Sequence, residues 1–163
     1  LNISNKIIII SSMIFLFFIP FTNINRNLNK KIFQSSWLIL IFIFINLFFF
    51  DFQKGLGGGL FFHLSNILFN GPALLFFIFA VSLFVFREYK LLNNYNIFLF
   101  IILIFYNIQS TIYYKYYDPI VYFMILFLFK FQPNSNLEKI SKKCFWFYLF
   151  FLSINYGKKF IIY

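Results

Sequence analysis

The 163-residue chain is 62% hydrophobic and only 11% charged, with 14 Lys and Arg against 4 Asp and Glu. So few charged groups cannot cover that much apolar surface in water, which excludes an ordinary water-soluble domain. Cys144 and His63 are each the sole residue of their kind, which excludes a disulfide framework, a zinc site and a haem held by two histidines.

The apolar residues fall into long runs separated by short polar joints, the pattern of a polytopic helical membrane protein. We expect an all-α bundle of about six spans, over 7–21, 32–50, 72–86, 95–112, 119–131 and 144–156, forming a single transmembrane domain across 1–163. Lys6 and the apolar run after it have the outline of a signal peptide. However, Pro20-Phe-Thr-Asn23 stands where a small-residue cleavage site belongs, so a first spanning helix is expected. Between the second and third spans, 51–71 is irregular, and within it 60–70 has the spacing of a short interfacial helix. Leu60, Phe61, Leu64, Ile67 and Leu68 share one face, and His63, Asn66 and Asn70 share the other. Asn70-Gly-Pro72 ends that helix, with Pro72 suited to the first turn of the next span.

The fifth span falls short of the roughly 20 residues that a perpendicular crossing needs, and gains length if 113–118 continue its helix. The sixth is expected to end at Gly157-Lys-Lys159. The chain then stops after a new apolar patch, Phe160-Ile-Ile-Tyr163, as the carboxyl-terminal part of a longer protein would. Phe occurs 31 times while Ala is confined to Ala73 and Ala80. A+T-rich coding accounts for that bias without an aromatic binding surface.

The cations set the orientation. Alternate joints hold Arg26, Lys30 and Lys31; Arg87 and Lys90; and Lys130, Lys139, Lys142 and Lys143. The other joints hold Lys6, Lys54, Lys115, and Lys158 with Lys159, so the tally is nine against five. The positive-inside rule makes the first set cytoplasmic, in a bacterial inner membrane. The net charge of +10 is thus spread over every joint and not gathered in a stripe. It points to lipid headgroups and topology and away from nucleic acid. Two joints, 51–71 and 113–119, then share the non-cytoplasmic side, where they could meet.

These two joints carry the chemistry. Asp51-Phe-Gln-Lys-Gly-Leu-Gly-Gly-Gly59 holds four of the six glycines. Free N–H groups of such a run can cradle an anion, although neither the Walker nor the dinucleotide spacing is met. A flexible turn back into the membrane explains the same residues. His63 serves either as a proton carrier or phosphate ligand, or in a structural role. The heptad Tyr113-Tyr-Lys-Tyr-Tyr-Asp-Pro119 is the densest polar island. Its plain reading is an aromatic belt with a snorkelling Lys115, and Asp118 as N-cap before Pro119 at the first helical position. Its functional reading is a pocket in which Lys115 and Lys54 hold an anionic headgroup, Tyr114 and Tyr117 stack on a sugar or lipid group, and Asp118, with Asp51, acts as base or hydrogen-bond acceptor. Asn107, Ser110 and Thr111 form a polar stripe leading to it. One or two hard oxygen ligands are too few for a metal, and no cofactor is expected.

The segment from Gly57-Gly-Gly-Leu-Phe-Phe-His-Leu-Ser65 through the heptad and the span after it resembles uncharacterised polytopic proteins of A+T-rich bacteria. Their design is similar to GT-C-type glycosyltransferases and surface-polysaccharide polymerases. The resemblance covers about 51–131. It implies a polyprenyl-phosphate-linked sugar as donor and a site facing away from the cytoplasm. The chain departs from that pattern: it has no paired acidic motif in an outer loop, and Arg26 and Arg87 fall on the inner side. Two other classes fit the composition, a transporter or flippase element and a small non-catalytic subunit of a membrane complex.

Overall fold

The computed structural model describes residues 2–22, 37–52, 57–107, 112–131 and 137–161. Among them every regular element is helical. The order is α1 (Ile3–Phe18) with a 3-10 turn (Ile19–Phe21), α2 (Trp37–Phe48), α3 (Gly59–Phe69), α4 (Ala73–Glu88), α5 (Asn94–Phe105), α6 (Tyr114–Phe123) with a π turn (Met124–Leu128), and α7 (Leu137–Ile161). The all-α class is therefore as expected. Packing divides the chain into two compact units: Leu1–Phe17 with Asn27–Gln132, and Phe18–Arg26 with Pro133–Tyr163.

In the first unit, α1 is buried all round. Ile8, Ile9, Ile10, Met13 and Ile14 are each 1% exposed or less, as expected for a helix apolar on every face. Its two buried serines do not disturb this, since Ser12 Oγ donates to the carbonyl of Ile9 one turn back. The other helices are one-sided. In α4 the buried stripe is Leu75, Phe79, Ser82, Leu83 and Phe86, and in α5 it is Asn96, Leu99 and Leu103. Their outer residues are also apolar: Phe44 and Phe48 of α2 and Phe98 of α5 are more than 60% exposed.

Hydrogen bonds gather the joints of this unit at two ends. At one, Asn2 Nδ2 donates to the Phe49 carbonyl and Asn5 pairs with both backbone groups of Asp51. At the same end, Lys6 Nζ donates to the carbonyls of Ile104 and Asn107, and Gly58 N–H to the carbonyl of Ile112. At the opposite end, Asn96 pairs with both backbone groups of Lys130. There Asn93 caps α5 through the N–H of Asn96 and donates to the carbonyls of Lys90 and Lys130. In the second unit, the 3-10 turn packs with α7, and Lys143 Nζ donates to the Thr22 carbonyl.

Three expectations need correction. The fourth predicted span, over 95–112, ends as a helix at Phe105. The Lys6 ammonium takes up carbonyls at its C-terminal end, and Ile112 is committed to pairing with the glycine turn. Lys6 is consequently 1% exposed, a helix C-terminal partner where the charge count treats it as a joint cation. The last helix begins at Leu137 and runs through Gly157, which does not end it. A glycine inside a helix costs only about 1 kcal/mol relative to alanine. Finally, Asp118 is not an N-cap. α6 starts at Tyr114 with Tyr113 as the capping residue, and Pro119 lies inside the helix. The pairing of Ile112 with the glycine turn leaves the chain free to coil from Tyr113 onward, and Tyr116 N–H closes the first turn on the Tyr113 carbonyl. So near the helix start, Pro119 forfeits a single backbone bond, to Lys115.

Counting its 3-10 turn, Ile3–Phe21 is the one described helix long and apolar enough to cross a bilayer by length and composition. Trp37–Phe48, Gly59–Phe69, Asn94–Phe105 and Tyr116–Leu128 are apolar and shorter. The start of the second predicted span, 32–36, lies outside the described residues.

Candidate functional site

The site is built where the glycine turn meets the heptad. Gly57, Gly58 and Gly59 have φ of 97°, 108° and 77°, a left-handed run that residues with a Cβ avoid. This run brings Gly58 N–H to within 2.9 Å of the Ile112 carbonyl oxygen, next to the first residue of the heptad. A methyl group on Gly57 would collide with that carbonyl, and one on Gly58 with the ring of Phe62. Close backbone approach thus explains two of the glycines without an anion. Phe62 in turn packs edge-on against Phe52, with ring centroids 5.1 Å apart. The turn is thereby anchored on both sides.

α3 follows from Gly59 and ends at Asn70, whose left-handed φ of 51° and N–H bond to the Asn66 carbonyl form a C-cap. Its inward face is Phe62 and Ser65. Ser65 Oγ donates to the Gly71 carbonyl and accepts from Leu74 N–H at 3.0 Å, which locks α3 against α4. Leu64, Ile67 and Leu68, three residues of the expected apolar face, point away from the protein. That leaves an apolar face without a protein partner among the described residues, the arrangement an interfacial helix needs.

In the heptad, Tyr117 is fully buried, and its ring meets Tyr106 edge-on with centroids 6.0 Å apart. Tyr113 and Tyr116, both exposed on one side, form a second edge-on pair at 6.1 Å. Two polar atoms here are buried with no hydrogen-bond partner among the described residues: the Tyr117 hydroxyl and Asp118 Oδ1. Such atoms are uncommon in folded proteins, and each demands a partner or a function. Burial pushes the Tyr117 phenol up, with Tyr106 adding to the effect. Burial also pushes the Asp118 carboxyl, early in α6, up to about 7. An acid poised near neutrality can hold or release a proton in the working range, which suits general acid–base chemistry or proton carriage.

The other candidates are dispersed. Asp51 is exposed, and its described bonds are backbone ones, to Asn5. His63 is exposed, with its ring 5.9 Å from Phe62. No hydrogen bond joins either residue to the heptad among the described residues. Lys54, the side chains of Tyr114 and Lys115, and Ser110 and Thr111 of the polar stripe lie outside the described residues. Asn107 uses its carbonyl on Lys6. No group of three or more His, Cys, Asp or Glu is placed to hold a metal among the described residues.

Sequence reading passed over Asn5 and Asn96. Each pairs its amide with one backbone N–H and one C=O of a distant joint, at Asp51 and Lys130 respectively. The one signal available was an asparagine inside or just before an apolar run, where an unpaired amide is costly. Comparison with protein-family models, curated proteins and solved structures finds no match. The functional reading therefore rests on the chemistry of this corner.

Proposed function

We propose that the chain is a multi-pass integral membrane protein of about six spans in a bacterial inner membrane. In this reading the corner between the glycine turn and the heptad binds a lipid-linked sugar at the non-cytoplasmic side, as part of a glycosyltransferase or polysaccharide-assembly enzyme. The membrane reading is supported by the outward Leu, Ile and Phe residues of α2, α3 and α5, an apolar exterior that water would not tolerate. The observation that carries the site is the pair of buried polar atoms without a partner among the described residues, the Tyr117 hydroxyl and Asp118 Oδ1, beside the exposed rings of Tyr106, Tyr113 and Tyr116. Aromatic faces suit the apolar face of a sugar ring, and a carboxyl poised near pH 7 suits deprotonation of an acceptor hydroxyl.

A direct test is binding and transfer of a radiolabelled polyprenyl-phosphate hexose by the chain in proteoliposomes. Tyr116→Ala should weaken binding about tenfold, the loss of one stacked aromatic contact. Asp118→Asn should leave binding in place and abolish transfer. Wild-type binding that neither change affects would defeat the assignment. Orientation has its own check. Cys144, half-buried near the start of α7, should react with an impermeant thiol reagent only from the cytoplasmic side; reaction from the outside alone would reverse the topology.

One observation favours a transporter element as the second reading. α6 carries Pro119 in its interior and passes into a π turn at Met124–Leu128, a break of the kind that lines substrate paths. Proton-coupled uptake by the proteoliposomes that is lost in Asp118→Asn, without sugar transfer, would select it.

A further inference from the structure

Within the first unit, α1, α2, the end of α4 and α5 enclose a cavity of about 440 Å³. Its lining is hydrocarbon except for Ser11, and its size falls in the range of ligand sites. Four lining residues, Leu38, Phe42, Ile97 and Ile101, are also among the exposed large hydrophobics. The cavity therefore opens sideways onto the apolar exterior, and water gains nothing by filling it.

We infer that this cavity holds one acyl chain of an anionic membrane phospholipid. The inference rests on the membrane reading above but not on the sugar assignment. The chain axis is set by the lining: Ile7 and Ile104 lie toward the Lys6 end, and Leu83 and Leu92 toward the opposite end. The two ends differ in charge available to a headgroup. At the first, the Lys6 ammonium is buried and bound to two carbonyls. At the second, Lys90 is exposed two residues before Leu92, in the turn closed by Leu91 N–H on the Phe86 carbonyl. Lys130 is exposed at that end too, its ammonium 4.3 Å from the Tyr95 ring centroid. A phosphate with its negative charge beside Lys90 and its chain in the cavity satisfies both the cation and the void. A neutral hydrocarbon would leave the cation unused.

The test uses the full chain in phosphatidylcholine vesicles that carry phosphatidylglycerol with a photoactivatable group on one acyl chain. Flotation is checked first, then labelled positions are mapped by mass spectrometry. Label should concentrate several-fold on Ser11, Leu38 and Ile101 over the outward-facing Phe44 and Phe98. The same probe with a phosphatidylcholine headgroup should label the lining several-fold less. Ser11→Leu and Leu38→Trp both fill the cavity, the second at an exposed position that tolerates bulk, and each should cut lining label several-fold with Phe44 and Phe98 unchanged. Lys90→Asn keeps a residue suited to the φ of 56°; it should erase the headgroup preference and retain the label. Label spread evenly over lining and outward positions, or unmoved by both filling variants, would overturn the site. Equal labelling by the two headgroups would overturn the anionic assignment, and cross-links between two chains through the lining would replace the lipid with a second copy. A chain that does not float with the vesicles defeats the membrane reading itself, and the inference with it.

Discussion

The two ends of the first unit are closed by the same device and left in different states. At the Lys130 end, Asn96 pairs with one N–H and one C=O of the opposite joint at 2.9 and 2.8 Å, and Asn93 donates to that same Lys130 carbonyl and to the carbonyl of Lys90. At the Asp51 end, Asn5 makes the same two-way pairing, with its oxygen 2.9 Å from Asp51 N. Yet the second end also holds Tyr117 and Asp118 with buried polar atoms that find no partner among the described residues. One end is spent on stability. The other leaves two polar atoms for which the described residues offer no partner.

The comparison breaks most visibly at the satisfied end. Asn96→Ala strands the Lys130 N–H and removes one of the two donors to the Lys130 carbonyl, and should cost about 1–3 kcal/mol, read as a lower unfolding midpoint in detergent. At the other end the largest loss should come from Gly57→Ala. It combines a φ of 97° with a clash against the Ile112 carbonyl, for about 1–3 kcal/mol; because this change parts the two joints, it should also impair any binding at the heptad. Tyr117→Phe removes a hydroxyl that has no described partner, so stability should stay within about 0.5 kcal/mol of wild type or rise. A loss as large as that of Asn96→Ala would show that the hydroxyl is satisfied and that the two ends are alike.

The pH dependence of stability sharpens the same contrast. The folded chain holds the Asp118 proton up to about pH 7, whereas the unfolded chain releases it in the ordinary carboxylate range. Between those values the folded state binds more protons, so stability is highest in acid and declines as pH rises to about 7. Asp118→Asn should flatten that decline, with Asn96→Ala keeping it. An unchanged slope in Asp118→Asn would place the ionisation elsewhere.

Legibility in the sequence followed the range of the interactions. The sequence predicts a short helix over 60–70 and the structure has one at Gly59–Phe69, ended by Asn70, because periodicity and a left-handed cap are local signals. The alternation of joints along the chain allows the two polar joints to meet, and the structure brings Gly58 N–H to the Ile112 carbonyl, next to the heptad. Asp118-Pro119 is a strong local capping signal, yet α6 starts at Tyr114, in line with the alternative that 113–118 continue the helix and not with Asp118 as its cap. Lys6 was counted as a joint cation because its partners, Ile104 and Asn107, are far along the chain.

Composition and periodicity alone determined that this protein is helical and that polar joints separate its apolar runs. Those properties depend on each residue and its near neighbours. Tertiary structure alone decided that Lys6 is buried against a helix end, that Asn5 and Asn96 clasp distant backbone, and that Tyr117 and Asp118 bury polar atoms that find no partner among the described residues. Each of these outcomes requires a partner brought from elsewhere in the chain. An unpaired polar atom is unpaired only once the fold has chosen all its neighbours.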